Sequence, residues 1–223
     1  MMMMIENIPG TTLLDFLERK AASPTTIADG DQREEGVSRD DIYDFAIQVA
    51  QGMNYVQSYE VVHRCLRANN IILTHRKVCK LCDFEYSSYE GKQEEDVWEN
   101  NPLLVRWMPP ERSYRKRHTS MSDVWSYGIL LSELVTSGVL PYKGMNVKEV
   151  QQNLLEGYRM PRPKRCGEDF YDVMYECWRE EPEERPTFAE LGQALTSLKQ
   201  YKPSSLPKGN SGEVPNGAAR ENR

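Results

Sequence analysis

From Val124 to Val135 the chain is almost continuously apolar, and no other run constrains the fold as tightly. A helix that is hydrophobic on every side must be surrounded by protein. The run is shorter than the ~20 residues a membrane span takes, so its neighbours have to come from elsewhere in the chain.

The sequence supplies them. Ile42, Phe45, Ala46, Val49, Met53 and Val56 recur at helical spacing behind Ser38, a good N-cap. Further helical patterns cover about Val147 to Glu156, Asp169 to Trp178 and Phe188 to Leu198. Thr12 precedes Leu13, Leu14, Phe16 and Leu17 as the N-cap of a short helix, and Pro9-Gly10 before it signals a turn. Short strands are expected at Met1 to Glu6, Val61-Val62, Ile71 to Leu73 and Val78 to Leu81. A few strands followed by helices alone predict an α+β fold that is predominantly α-helical.

Between these elements lie segments with little to bury. Residues 20–37 are small, polar and acidic and read as a flexible insertion. Tyr86 to Asn101 reads as a mobile surface loop, and residues 201–223 as a disordered tail. One domain over residues 1–200 is the expectation, without internal repeats.

The net charge of -6 argues against a nucleic-acid or anionic-membrane binder. Met1 to Ile5 is too short for a signal peptide, and Met2 stands where N-myristoylation needs glycine. A cytoplasmic protein without a membrane span is expected. The 5 cysteines suit reduced thiols. Cys79 and Cys82 form a C-x-x-C, but in a strand such positions face opposite sides, and there is no second pair to complete a zinc site.

Five blocks carry the chemistry. His63-Arg64-Cys65-Leu66-Arg67-Ala68-Asn69-Asn70 is followed by Asp83-Phe84-Glu85 and then by Trp107-Met108-Pro109-Pro110-Glu111. Ser122-Asp123-Val124-Trp125-Ser126-Tyr127-Gly128 opens the apolar run. Cys177-Trp178, Pro182 and Arg185-Pro186-Thr187-Phe188 complete the series. In composition and order these blocks resemble the protein kinase family: H-R-D-L-x-x-x-N, D-F-G, A-P-E, S-D-V-W-S-x-G and C-W-x-x-x-P-x-x-R-P-T-F. Arg67 within the loop, Gly157-Tyr158-Arg159-Met160-Pro161, and Glu6 followed by Leu13-Leu14-Asp15-Phe16-Leu17 look like the Src-like cytoplasmic tyrosine kinases.

The resemblance covers about residues 1–200 and begins in the middle of the family's domain. It implies a C-terminal lobe with a hinge strand and short β-hairpins, the N-terminal lobe being absent. It places Cys65, Arg67 and Asn70 in the catalytic loop, with Cys65 at the position of the aspartate that accepts the substrate's proton. Asn70 and Asp83 are implied as magnesium ligands. Ile5 (at the gatekeeper position), Glu6, Ile8 and Ile72 are implied as nucleotide contacts. Mg-ATP is the implied cofactor, with binding expected to be weak or absent. His63 and Phe84 should stack, Glu111 and Arg185 should form a buried ion pair, and Asp123 should accept N–H bonds from the catalytic loop.

Several positions depart from the pattern. Cys65 lacks a carboxylate, Glu85 replaces the D-F-G glycine, and Leu104 replaces the proline of a substrate-platform P-[IV]-K-W. Glu95 falls where the family autophosphorylates a tyrosine, either a carboxylate facing Arg64 or one member of a solvated acidic run. Tyr86 and Tyr89 are possible phosphosites. A Cys65 nucleophile activated by His63 fits poorly, because His63 belongs to the packed stack and no oxyanion hole is in evidence.

The resemblance thus implies a tyrosine-kinase-like domain, impaired or inactive (a pseudokinase), that binds protein partners or tyrosine-containing peptides. The alternatives are an active ATP-dependent tyrosine kinase whose upper lobe is missing from this sequence, and a decaying product that folds poorly. Transferase activity and signalling roles follow from the family alone.

Overall fold

The structure is a computed structural model and describes residues 9–22, 37–91, 102–112 and 118–201. Helix α3, Ser120–Val135, realises the apolar run, and every residue from Ser122 to Leu134 is buried. Around it lie α1 (Leu13–Ala22), α2 (Arg39–Gln57), α4 (Val147–Leu155), α5 (Glu168–Glu176) and α6 (Phe188–Gln200). The core joins Phe45, Val49 and Met53 of α2 to Trp125, Ile129 and Leu130 of α3 and to Leu191 and Leu195 of α6.

Polar groups fix how these helices meet. Tyr127 Oη donates to the Ala46 carbonyl at 2.8 Å, tying α3 to α2. Gly128 allows the chain at Cys177-Trp178 to approach α3 closely: a Cβ there would lie 2.5 Å from Trp178 Nε1 and 2.7 Å from Cys177 Cβ. Ser38 Oγ accepts from Asp41 N–H at the start of α2, and Thr12 Oγ1 accepts from Asp15 N–H in α1, as N-cap chemistry predicts. Asn146 with Glu149 and Thr187 with Glu190 form capping boxes on α4 and α6.

Among the described residues, two small antiparallel sheets complete a mostly helical α+β fold. β1 (Thr11–Thr12), β3 (Ile71–Leu73) and β4 (Cys79–Leu81) form one, with Thr12 opposite Ile72 and Ile72 opposite Lys80. β2 (Val61–Val62) pairs with β5 (Ser88–Tyr89) in the other. β5 lies within the segment read from sequence as a surface loop. Ser88 and Tyr89 have no aliphatic alternation to announce a strand. Their pairing comes instead from backbone partners on β2, continued by Glu90 N–H donating to Glu60 O at 2.7 Å.

Helix α1 runs through Ala22, into the first residues of the expected insertion. Residues 23–36, the Met1 to Glu6 strand, Ile5, Glu6, Ile8, Glu95 and the tail beyond Tyr201 lie outside the described residues.

Candidate active site

The loop from His63 to Asn70 joins β2 to a 3₁₀ turn, Ala68–Asn70, that leads into β3. Its sharp bend places Arg64 at φ 67°, in the left-handed region, where a non-glycine residue costs about 1–3 kcal/mol. Asp123, buried at the start of α3, holds the bend. It accepts the His63 N–H at 2.7 Å and the Arg64 N–H at 2.8 Å. Burial pushes its pKa up to about 7, against the pull of those two hydrogen bonds and of Arg64.

A second buried carboxylate holds the loop's far end. Glu133 Oε2 accepts the Ala68 N–H and the Trp107 indole N–H, each at 3.0 Å. Burial likewise raises its pKa to about 7. Glu133 therefore joins the loop to the 3₁₀ segment Pro102–Trp107. Sequence reasoning did not find it. The available signal was the one acid inside the apolar run Val124 to Val135, where a charge persists when it is paired.

His63 is engaged at both ring nitrogens. Cys65 N–H donates to Nδ1 at 3.3 Å, and Nε2 lies 3.1 Å from the Cys82 carbonyl, so the proton is assigned to Nε2. The ring lies against Phe84 with centroids 4.6 Å apart. Burial lowers its pKa to about 4, leaving it neutral. A neutral imidazole committed on both sides cannot activate a thiol.

Cys65 is 4% exposed. Asn70 Nδ2 donates to its carbonyl at 2.8 Å and to Sγ at 3.1 Å. Burial raises the thiol pKa to about 11, although Arg67 and the Asn70 hydrogen bond act in the opposite sense. At neutral pH the group is protonated, so it has no charge with which to accept a proton. Arg67 itself stacks on Trp107, its guanidinium carbon 5.6 Å from the ring centroid.

Asp83 stands beside the loop. Cys82 N–H donates to the Asn70 carbonyl at 3.0 Å, and Asp83 follows in a left-handed conformation, φ 62° and ψ 56°. The 3₁₀ turn Phe84–Tyr86 comes next. Glu85 is exposed within it, and its φ is not positive. The backbone here thus makes no demand for the glycine that Glu85 replaces.

Asn70 Nδ2 is committed to Cys65, and Oδ1 is the acceptor atom of the same side chain. Magnesium takes one or two carboxylates from protein and its remaining oxygens from phosphates and water, and the Asp83 carboxylate with Asn70 Oδ1 fits that need. Among the described residues no group of three or more His, Cys, Asp or Glu could hold a metal by itself. Asn70 and Asp83 would be the residues to hold a cation that arrives with a nucleotide. Ile72, half-buried on β3, is the implied nucleotide contact within the described residues.

Two further anchors close the site. Arg106 is buried and donates to the carbonyls of Pro141, Tyr142 and Met145, fixing the 102–107 segment to the chain before α4. Arg185 pairs with Glu111 through two hydrogen bonds of 2.7 and 2.9 Å and also donates to Met121 O.

The left-handed Arg64, the Asp123 clasp, the His63–Phe84 contact and the Glu111–Arg185 pair bring all five sequence blocks into one assembly. A sequence model of the family described as protein tyrosine and serine/threonine kinase matches residues 1–195. The chain belongs to the protein kinase family. Within that family, reactions draw on Mg-ATP and protein substrates. This kinase domain keeps the loop's framework, with Cys65 buried inside it. No helix among its described residues is long and apolar enough to cross a membrane.

Proposed function

We propose that this kinase-like domain is a Src-like tyrosine pseudokinase, the C-terminal lobe of the fold over about residues 1–200, that works by binding protein partners or tyrosine-containing peptides. One observation carries the reading: Cys65, at the proton acceptor's position, is buried and held protonated with a pKa of about 11. General-base catalysis contributes about 10²–10⁴-fold, and a neutral thiol forgoes that contribution. Leu104, in place of the platform proline, is also turned into the interior. Mg-ATP, where bound, would be held by Asn70 and Asp83 and would supply the phosphoryl group.

A second reading, an active ATP-dependent tyrosine kinase, is favoured by the survival of Asn70 and Asp83. Radiolabelled phosphoryl transfer to a tyrosine peptide separates the two. The pseudokinase reading expects no transfer above the level of Asp83→Ala. Transfer that Asp83→Ala abolishes would establish the active enzyme. Thermal-shift titration with Mg-ATP is expected to give little or no saturable rise in melting temperature.

A further inference from the structure

Tyr55 and Tyr59 stand together on the surface where α2 ends. They are 65% and 59% exposed, yet they touch each other. Their ring centroids lie 5.1 Å apart at an interplanar angle of 61°, and their hydroxyls share a hydrogen bond of 3.2 Å. Residues four apart on a helix are neighbours on one face, and this spacing is kept past Gln57, the last residue of α2. Ser58 N–H donates to Asn54 O at 3.1 Å, Tyr59 N–H to Val56 O at 3.1 Å and Glu60 N–H to Gln57 O at 2.8 Å. Ser58 Oγ adds a 2.6 Å bond to Tyr55 O. The backbone therefore holds both phenols on one short, well-bonded turn.

Two other tyrosine pairs in ring contact are arranged differently. Tyr171 and Tyr175 are also four apart, on α5, but their centroids are 6.1 Å apart. The Tyr171 side chain is half-buried, and its hydroxyl donates to Met160 O at 2.7 Å. Tyr142, whose ring lies 6.4 Å from that of Tyr158, is 5% exposed. At Tyr55 and Tyr59 three properties coincide: both rings open to solvent, the rings in contact, and the hydroxyls engaged with each other.

We propose that Tyr55 and Tyr59 form an oxidative modification site, coupled into an intrachain dityrosine by a one-electron oxidant of the haem-peroxidase class acting with hydrogen peroxide. Each phenol gives up one electron and its O–H proton. The two phenoxyl radicals then join through one ortho ring carbon each, forming a C–C bond. The hydrogens on those carbons leave as protons, and both oxygens are reprotonated. The chain thus loses two electrons and two protons, and one hydrogen peroxide accepts them to become two waters. Exposed side chains change rotamer within nanoseconds, and groups already in contact react at a high effective concentration. The new bond fastens the end of α2 to the turn through Glu60 that leads into β2 and so to His63. The step uses neither nucleotide nor protein partner, so it can fail while the pseudokinase reading stands, and the reverse.

The test is treatment of the native full chain with a haem peroxidase and limiting hydrogen peroxide, followed by dityrosine fluorescence and peptide mass spectrometry. The peptide holding Tyr55 and Tyr59 is expected to become lighter by two hydrogens and to give no fragments between these residues. Its yield is expected to exceed that of a Tyr171–Tyr175 link by about tenfold or more. Tyr55→Phe and Tyr59→Phe keep the rings and should each abolish the link, and Tyr175→Phe should leave it unchanged. In urea the preference for this pair is expected to vanish, since the two pairs have the same sequence spacing. Absence of the link in the native chain overturns the proposal, as does an equal yield at Tyr171–Tyr175. Coupling between chains alone, or a preference that survives in urea, overturns it as well.

Discussion

Glu111 and Arg185 meet across 74 residues of sequence in a two-pronged ion pair, Oε1 to Nη1 at 2.7 Å and Oε2 to Nη2 at 2.9 Å. Both side chains are buried, and the Arg185 guanidinium also stacks on Trp125, 5.0 Å from its centroid. The pair clamps the chain after the 102–107 segment to the start of α6. Removing one partner strands the other charge where water cannot reach it, which typically costs about 3–5 kcal/mol. Arg185→Met is therefore expected to lower the unfolding free energy measured by urea titration by about 3–5 kcal/mol. The double variant Glu111→Met with Arg185→Met should recover much of the loss, because it buries no charge.

Gly128 gives a second test of packing. Its missing Cβ makes room for Trp178 and Cys177, both buried, and both within 2.7 Å of where that carbon would sit. Neither can withdraw without disturbing the contact between α3 and the end of α5. Gly128→Ala is expected to cost about 1–3 kcal/mol by overpacking, despite alanine's better helix propensity, and denaturant unfolding measures it.

How legible these features are in sequence depends on how locally they are encoded. Asp123, His63, Glu111 and Arg185 each sit inside a short block whose neighbours announce it. Glu133 does not: its partners Ala68 and Trp107 lie 65 and 26 residues away, and only folding brings both N–H groups to one oxygen. The apolar cluster at Cys65 is hidden for the same reason, since Cys65, Tyr86 and the pair Leu104 and Met108 come from three separate segments. Glu85 stands where the family pattern has glycine, and its φ is not positive. A side chain there forbids only conformations that the turn at Phe84–Tyr86 does not use.

Restoring the aspartate tests the Cys65 environment directly. Cys65→Asp sets a carboxylate among Leu104, Met108 and Tyr86, where desolvation costs several kcal/mol per ion, less whatever Arg67 and Asn70 return. The variant is expected to melt below wild type at pH 8. The deficit should shrink at pH 5, where the raised pKa keeps the acid neutral. No phosphoryl transfer is expected from this change alone. Melting curves at the two pH values and the peptide assay check both statements.

The buried ionisable groups also set how stability varies with pH. Asp123 and Glu133 have folded pKa values of about 7, well above the ordinary carboxylate range, with burial the main cause. Such acids bind their protons more tightly when folded. Their contribution is present at low pH and is lost as pH rises from about 4 to 7. His63 and His118 run the other way. Burial, helped at His118 by Arg64 and Arg112, lowers them to about 4 and about 3. Below pH 6.5 the unfolded chain takes up protons that these folded imidazoles refuse, so their contribution grows as pH rises toward 6.5. The two trends oppose each other between about pH 4.5 and 6.5. Glu133→Gln keeps an oxygen for Ala68 and Trp107 and removes one falling contribution. Relative to wild type it is expected to gain about 1–3 kcal/mol between pH 4.5 and 7.5, since each unit of pKa shift is worth about 1.4 kcal/mol. Urea midpoints at pH 4.5, 5.5, 6.5 and 7.5 decide it: a difference from wild type that stays constant with pH would mean Glu133 is already ionised at the low end.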